Sequence, residues 1–145
     1  MKIVDNPKEI NGLRVIQDPN EMEQALKNGE SFYHWELGDS LSPLIRNAEY
    51  CLIKPCLITE IKRGDCVFCI MEDRNGNRYP MVHQVWEISD ANYYGELWFK
   101  IGSTMSTIFG WTKEVYGIAR GTNIFQDMST LELIETAKVE QNGNT

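Results

Sequence analysis

Between residues 31 and 121 apolar and polar positions follow the two-residue period of strands, and no helical period interrupts them. The pattern predicts strands near 31–38, 49–54, 65–72, 78–88, 94–101 and 114–121. The polar stretch DRNGNR separates two of them, and its Asn75-Gly76 pair is a hairpin signal because both residues tolerate positive φ. Strands in succession without crossover helices imply a mainly β fold: a largely antiparallel sheet, coiled or barrel-like.

The flanks read differently. Residues 1–17 suggest an irregular arm with one short strand in LRVI. Asp18-Pro19-Asn20-Glu21 then opens a helix, with Asp18 at the N-cap, Pro19 in the first turn and Glu21 completing a capping box. Asn28-Gly29 closes it. So short a helix must dock on something to persist. Near the C-terminus, DMSTLELIETAKVE returns to a helical pattern with Ser129 and Glu132 as a second capping box, and QNGNT reads as a frayed tail. The expected organisation is one domain over 1–145. It comprises an arm and helix (1–30), a β core (31–121), and a C-terminal helix and tail (122–145).

The chain is long enough for a real core, and its formal net charge of −7 changes the functional outlook. Binding to a phosphate backbone needs basic patches, and the Lys and Arg residues form no run. The tryptophans Trp35, Trp86, Trp98 and Trp111 are therefore expected in the core or in groove walls, with no role as a nucleic-acid platform. The first twenty residues lack the apolar stretch of a secretory signal, and no segment is long and apolar enough to span a membrane. The expectation is a soluble, cytoplasmic protein.

The cysteines Cys51, Cys56, Cys66 and Cys69 have a spacing that invites a zinc reading. The surrounding EYCLIKP and DCVFCIM instead read as strands, and an offset of three puts Cys66 and Cys69 on opposite faces. Buried reduced thiols are the favoured reading over zinc or disulfides. No metal or cofactor is expected.

Candidate chemistry centres on Ser40. Gly38-Asp39-Ser40-Leu41-Ser42-Pro43 follows a predicted strand. Lys62-Arg63-Gly64-Asp65 opens the strand CVFCIM, YPMVHQVWEI carries His83 mid-strand, and EVYGIARG is a late strand with glycine beside an aromatic. In this order the four segments resemble the LexA / signal-peptidase superfamily of serine peptidases. That superfamily carries a G-x-S-M-x-P box, a G-D box, a strand holding the catalytic base, and a late glycine-containing strand. The resemblance covers roughly residues 31–121, in a stand-alone form of the phage or mobile-element kind. It departs from the superfamily in several places. Leu41 stands for the usual Met. His83 stands where bacterial members have Lys, as in the HRV box of the endoplasmic-reticulum and archaeal enzymes, with Gln84 for Arg. KIGSTMST holds no acid to orient the imidazole. No membrane anchor or DNA-binding domain is expected ahead of the core.

The chemistry is coherent in its own terms. A serine hydroxyl attacks only when a neighbour takes its proton, and histidine does so near neutral pH without a large pKa shift. Alternation puts His83 on the face of Met81 and Val85, against apolar packing. The resemblance implies Ser40 as nucleophile and His83 as base, with backbone groups of the Gly38–Asp39–Ser40 turn meeting the oxyanion. It also implies a substrate groove near Leu41, Pro43, Val82 and Val85. The plain alternatives are a turn serine bonding its own backbone and a strand histidine satisfied inside the sheet. His34 reads as structural, Ser42 as a weaker nucleophile candidate, Asp39 as a turn residue, and Asp65 as the closure of its turn. The leading function is a signal-peptidase-like serine endopeptidase cutting a protein substrate in trans. The alternative is a non-catalytic protein-binding module on the same fold. The partner is a protein or peptide substrate, with homodimerisation left open.

Overall fold

The structure, a computed structural model, describes residues 2–3, 6–89 and 96–127. Its elements are β1 (Lys2–Ile3), β2 (Glu9–Ile10), β3 (Leu13–Arg14), α1 (Pro19–Lys27), β4 (Phe32–Trp35), β5 (Glu49–Pro55), β6 (Cys66–Glu72), β7 (Arg78–Ser89), β8 (Trp98–Gly102), β9 (Ile108–Thr112) and β10 (Val115–Gln126). The main sheet runs β4-β5-β10-β6-β7-β8-β9, antiparallel throughout, and β1 adds to β10 in parallel. β2 and β3 form a separate hairpin. The expected mainly β, antiparallel architecture is what is found. The sheet coils but does not close, because β4 and β9 do not pair. The predicted C-terminal helix lies outside the described residues.

Coiling divides the core into two apolar clusters. One gathers α1 (Met22, Leu26) with Phe32, Leu41, Ile53, Phe68 and Val82. The other holds Val67, Cys69, Val85, Phe99 and Ile101, with Met81 packed against it. The Thr112 hydroxyl donates to the Ile70 carbonyl at 2.6 Å, so β9 folds back over β6. Strand alternation decides which cluster each residue joins. Cys66 sits in the first cluster and Cys69 in the second, the opposite faces expected of their spacing. Burial raises the Cys66 and Cys69 thiols to about 12 and the half-buried Cys56 thiol to about 11, so all three stay protonated near neutrality. Among the described residues no group of ligating side chains is placed to hold a metal ion.

The helix forms where expected, but its cap is simpler than expected. Asp18 takes the N-cap backbone position, yet its side chain makes no capping hydrogen bond, so the proposed box with Glu21 is not formed. Pro19 supplies the preset φ of the first turn, and Gly29 at φ 80° ends the helix. Docking does the rest, with Met22, Ala25 and Leu26 all buried. At the β6–β7 hairpin, Asp73 accepts the N–H groups of Asn75 and Asn77 at 2.9 Å each, while Gly76 provides φ 81°. β9 was not expected, and Ile108, Phe109 and Trp111 on it are exposed. Among the described residues no helix is long and apolar enough to cross a membrane.

Candidate active site

The chain leaves β4 at Trp35, and Glu36 stays tied to β5: its N–H donates to Glu49 O and its carbonyl accepts Ala48 N–H. The tether ends there. Leu37 to Ser40 are exposed, and the Gly38 N–H is held by Asn47 Oδ1 at 2.8 Å, with Gly38 at φ 91°. Leu41 then turns inward and is 2% exposed, which anchors the turn and leaves Ser40 facing solvent. The N–H groups of Asp39 and Ser40 have no acceptor among the described residues. Asp39 is exposed and uses its carbonyl to accept the Ser42 N–H.

The β8–β9 turn holds this segment from the other side. Thr104 N–H donates to Ser40 O at 2.8 Å. The Thr104 hydroxyl reaches Ser42 O at 2.6 Å and Ser40 O at 3.2 Å, and the shorter contact takes its proton. Trp86 Nε1 and the Ser103 hydroxyl brace the turn, through Ser103 O and the N–H groups of Ser106 and Thr107. Gly102 permits this closeness, since a Cβ there would lie 2.5 Å from Thr107 O and 2.8 Å from Trp86 Nε1.

The same turn locates His83. Gln84 pairs with Gly102, the last pair of the β7–β8 ladder, so one step further His83 faces the position of Ser103. Thr104, which grips Ser40, is the next residue. The Ser40 turn and His83 therefore flank one short turn, although they lie far apart in sequence. The His83 ring packs on Phe109 with centroids 4.5 Å apart, and its Nδ1 is buried without a hydrogen bond. Burial pushes the imidazole below its ordinary value of 6.5, opposed in part by the charge of Glu36. No hydrogen bond joins Ser40 Oγ to the His83 ring.

On its other side β7 offers an edge. β8 pairs with β7 only from Gln84 onward, so among the described residues the stretch from Arg78 to His83 has a strand partner on one side alone. Pro80, which has no N–H, suits such an edge. Beside this edge lies a cavity of about 200 Å³ lined by Pro19, Met22, His34, Glu36, Phe68 and Pro80–His83. Val82, expected along a groove, lines this cavity. Pro43 is exposed. Leu41 and Val85, also expected there, are instead core side chains at 2% and 1% exposure.

Glu36 and Thr104 are the site residues that the sequence reading missed. His34 uses both ring nitrogens, Nδ1 donating to Ile16 O at 3.0 Å and Nε2 meeting Glu36 Oε1 at 2.9 Å. Asp65 closes its turn as expected, accepting the Lys62 N–H at 2.8 Å.

No known protein family, curated protein or solved structure matches the chain.

Proposed function

We propose that the chain is a serine endopeptidase of the LexA / signal-peptidase type that cuts a protein substrate in trans. The observation that carries this reading is the Thr104 link, which ties the exposed Ser40 turn to the end of the β7–β8 ladder, one residue from His83. A substrate segment would add as a strand along the side of β7 from Arg78 to His83 that β6 leaves open, main chain to main chain. Its scissile carbonyl would then reach the Ser40 turn. Ser40 Oγ attacks that carbonyl and His83 takes the hydroxyl proton. The unpaired N–H groups of Asp39 and Ser40 meet the oxyanion. His83 returns the proton to the leaving amine, and water cleaves the acyl ester by the same base. The lowered imidazole pKa supports the role, because the ring is neutral and able to accept a proton at pH 7. The proposal includes a cytoplasmic setting of the kind expected for a phage or mobile-element protein.

A second reading, a non-catalytic binding module with the same docking edge, is favoured by the missing Ser40–His83 hydrogen bond in the resting site. Catalytic hydrogen bonds often tighten only once substrate is bound. A fluorophosphonate probe separates the two. Covalent labelling of the wild type that disappears in Ser40→Ala supports the peptidase. Wild type that stays unlabelled while binding peptides supports the module.

A further inference from the structure

The cavity beside β7 has a chemical character that the reaction itself does not require. Its walls are apolar: Pro19 and Met22 from α1, Phe68 from β6, and Pro80 and Val82 from β7. Among the described residues Glu36 is the one acidic side chain that lines it, and no Lys or Arg does. His34 and His83 are the other titratable groups that face it. The Glu36 carboxylate is fixed in place, because Oε1 meets His34 Nε2 and His34 is itself held by Ile16 O. Oε2 has no partner. At about 200 Å³ the cavity is smaller than the roughly 300–1,000 Å³ of whole-ligand pockets. It has room for one long side chain.

We infer that this cavity is a specificity subsite for a basic side chain of the substrate, Lys or Arg, and that Glu36 reads it. The inference rests on the proposed strand-wise binding along β7. A substrate strand on that edge would point alternate side chains to one face, and one of them would enter the cavity. A Lys or Arg stem lies along Pro19, Met22 and Phe68 while its charged tip reaches Glu36 Oε2. The pair would be a charge-assisted hydrogen bond in a partly dry site, with the carboxylate already oriented by His34. A neutral side chain of similar length keeps the apolar contacts and loses the tip. An acidic one meets Glu36 with like charge. The net charge of −7 favours the approach of basic segments over acidic ones.

The test uses the full chain and a hexapeptide library with Lys, Arg, Gln, Leu or Glu at each position in turn. Turnover by the wild type is read by mass spectrometry. Retention on immobilised Ser40→Ala protein is read in parallel, so binding is scored even if nothing is cut. The expected result is a preference for Lys or Arg over Glu of about tenfold or more at one position. Glu36→Gln, which keeps the contact with His34, should bring that preference close to unity, and Glu36→Lys should turn it toward Glu. No charge preference in retention overturns the subsite. So does an equal loss for every peptide in Glu36→Gln, which would make Glu36 a general positioning residue. Charge-selective retention without turnover upholds the subsite and counts against the peptidase alone.

Discussion

Ser40 and Thr104, 64 residues apart, are joined through the Ser40 carbonyl, which accepts the Thr104 N–H at 2.8 Å and lies 3.2 Å from its hydroxyl. The contact fixes the candidate nucleophile from behind while its own hydroxyl stays exposed. A turn held on one side only by Asn47 and Leu41 would be free to swing, and reacting groups must be held within a fraction of an ångström.

Replacing Thr104 by Val keeps the shape and the N–H but deletes the hydroxyl bond to Ser42 O. The expected cost in stability is about 1 kcal/mol. Fluorophosphonate labelling of Ser40 should slow by considerably more than that loss of stability explains. Labelling at the wild-type rate, with an unchanged melting temperature, would show that the β8–β9 turn does not position Ser40.

Glu49 opens β5 at the far end of the loop that carries Ser40. It is 3% exposed and accepts the Arg46 N–H at 2.9 Å and the Asn123 N–H at 2.8 Å. Burial alone would raise its carboxyl pKa. The backbone bonds from Arg46 and Asn123 and the Arg46 charge outweigh that and hold it below 4.5. Glu49→Ala leaves two backbone N–H groups without their acceptor and should cost about 2–4 kcal/mol. Its contribution in the wild type is full above about pH 4.5 and fades as pH falls through the lower folded-state value. Denaturant melts of wild type and Glu49→Ala should therefore lie closer together at pH 3 than at pH 7. A gap that stays constant between the two would refute this account.

Strand positions were legible because alternation and the Asn75-Gly76 hairpin speak locally. β9 was not legible. Gly110, at φ 131°, interrupts its pattern, and Ile108, Phe109 and Trp111 point outward where a half-buried strand would show polar residues. The site was legible only in part, for the same reason. Ser40 and His83 stand in recognisable local boxes. KIGSTMST holds no acid, and its Thr104 contacts the Ser40 turn through a main-chain N–H and a hydroxyl, which leave no sequence signature. Glu36 looked like one more polar position after a strand. Its standing depends on α1 and β7 closing a cavity in front of it, a tertiary event that no local pattern carries.

The His83 imidazole should govern both rate and stability in acid. Its folded-state pKa lies below the ordinary 6.5 because the neutral ring is buried under Phe109. The neutral form is thus favoured by folding, so this contribution to stability is full above about pH 6.5 and is lost as pH falls through the folded value. Labelling of Ser40 should likewise hold its plateau down to a pH below 6.5 before it falls. Histidine ring resonances followed by NMR from pH 4 to 8 give the value directly, with His83→Gln used to assign the signal. A midpoint above 6.5 would contradict the burial argument, and a rate still rising at pH 9 would remove His83 as the base.

The chain should not cut itself. LexA-like repressors cleave an Ala-Gly or Cys-Gly bond in a segment ahead of the serine, and this sequence contains neither dipeptide. The segment ahead of Ser40 is also committed elsewhere. Met22 and Leu26 of α1 are 2% and 4% exposed, and Ile16 is pinned between Tyr33 and His34. Drawing residues 16–27 into the groove as a strand would expose Met22 and Leu26, at about 2 kcal/mol for each side chain, and would break the helix. It would also remove Pro19 and Met22 from the wall of the very cavity the strand would have to occupy. An intramolecular substrate would thus dismantle its own binding site. Purified protein held at mildly alkaline pH over a range of concentrations should keep its intact mass. A first-order, concentration-independent loss of an N-terminal fragment that disappears in Ser40→Ala would show instead that α1 melts readily and that the site can act in cis.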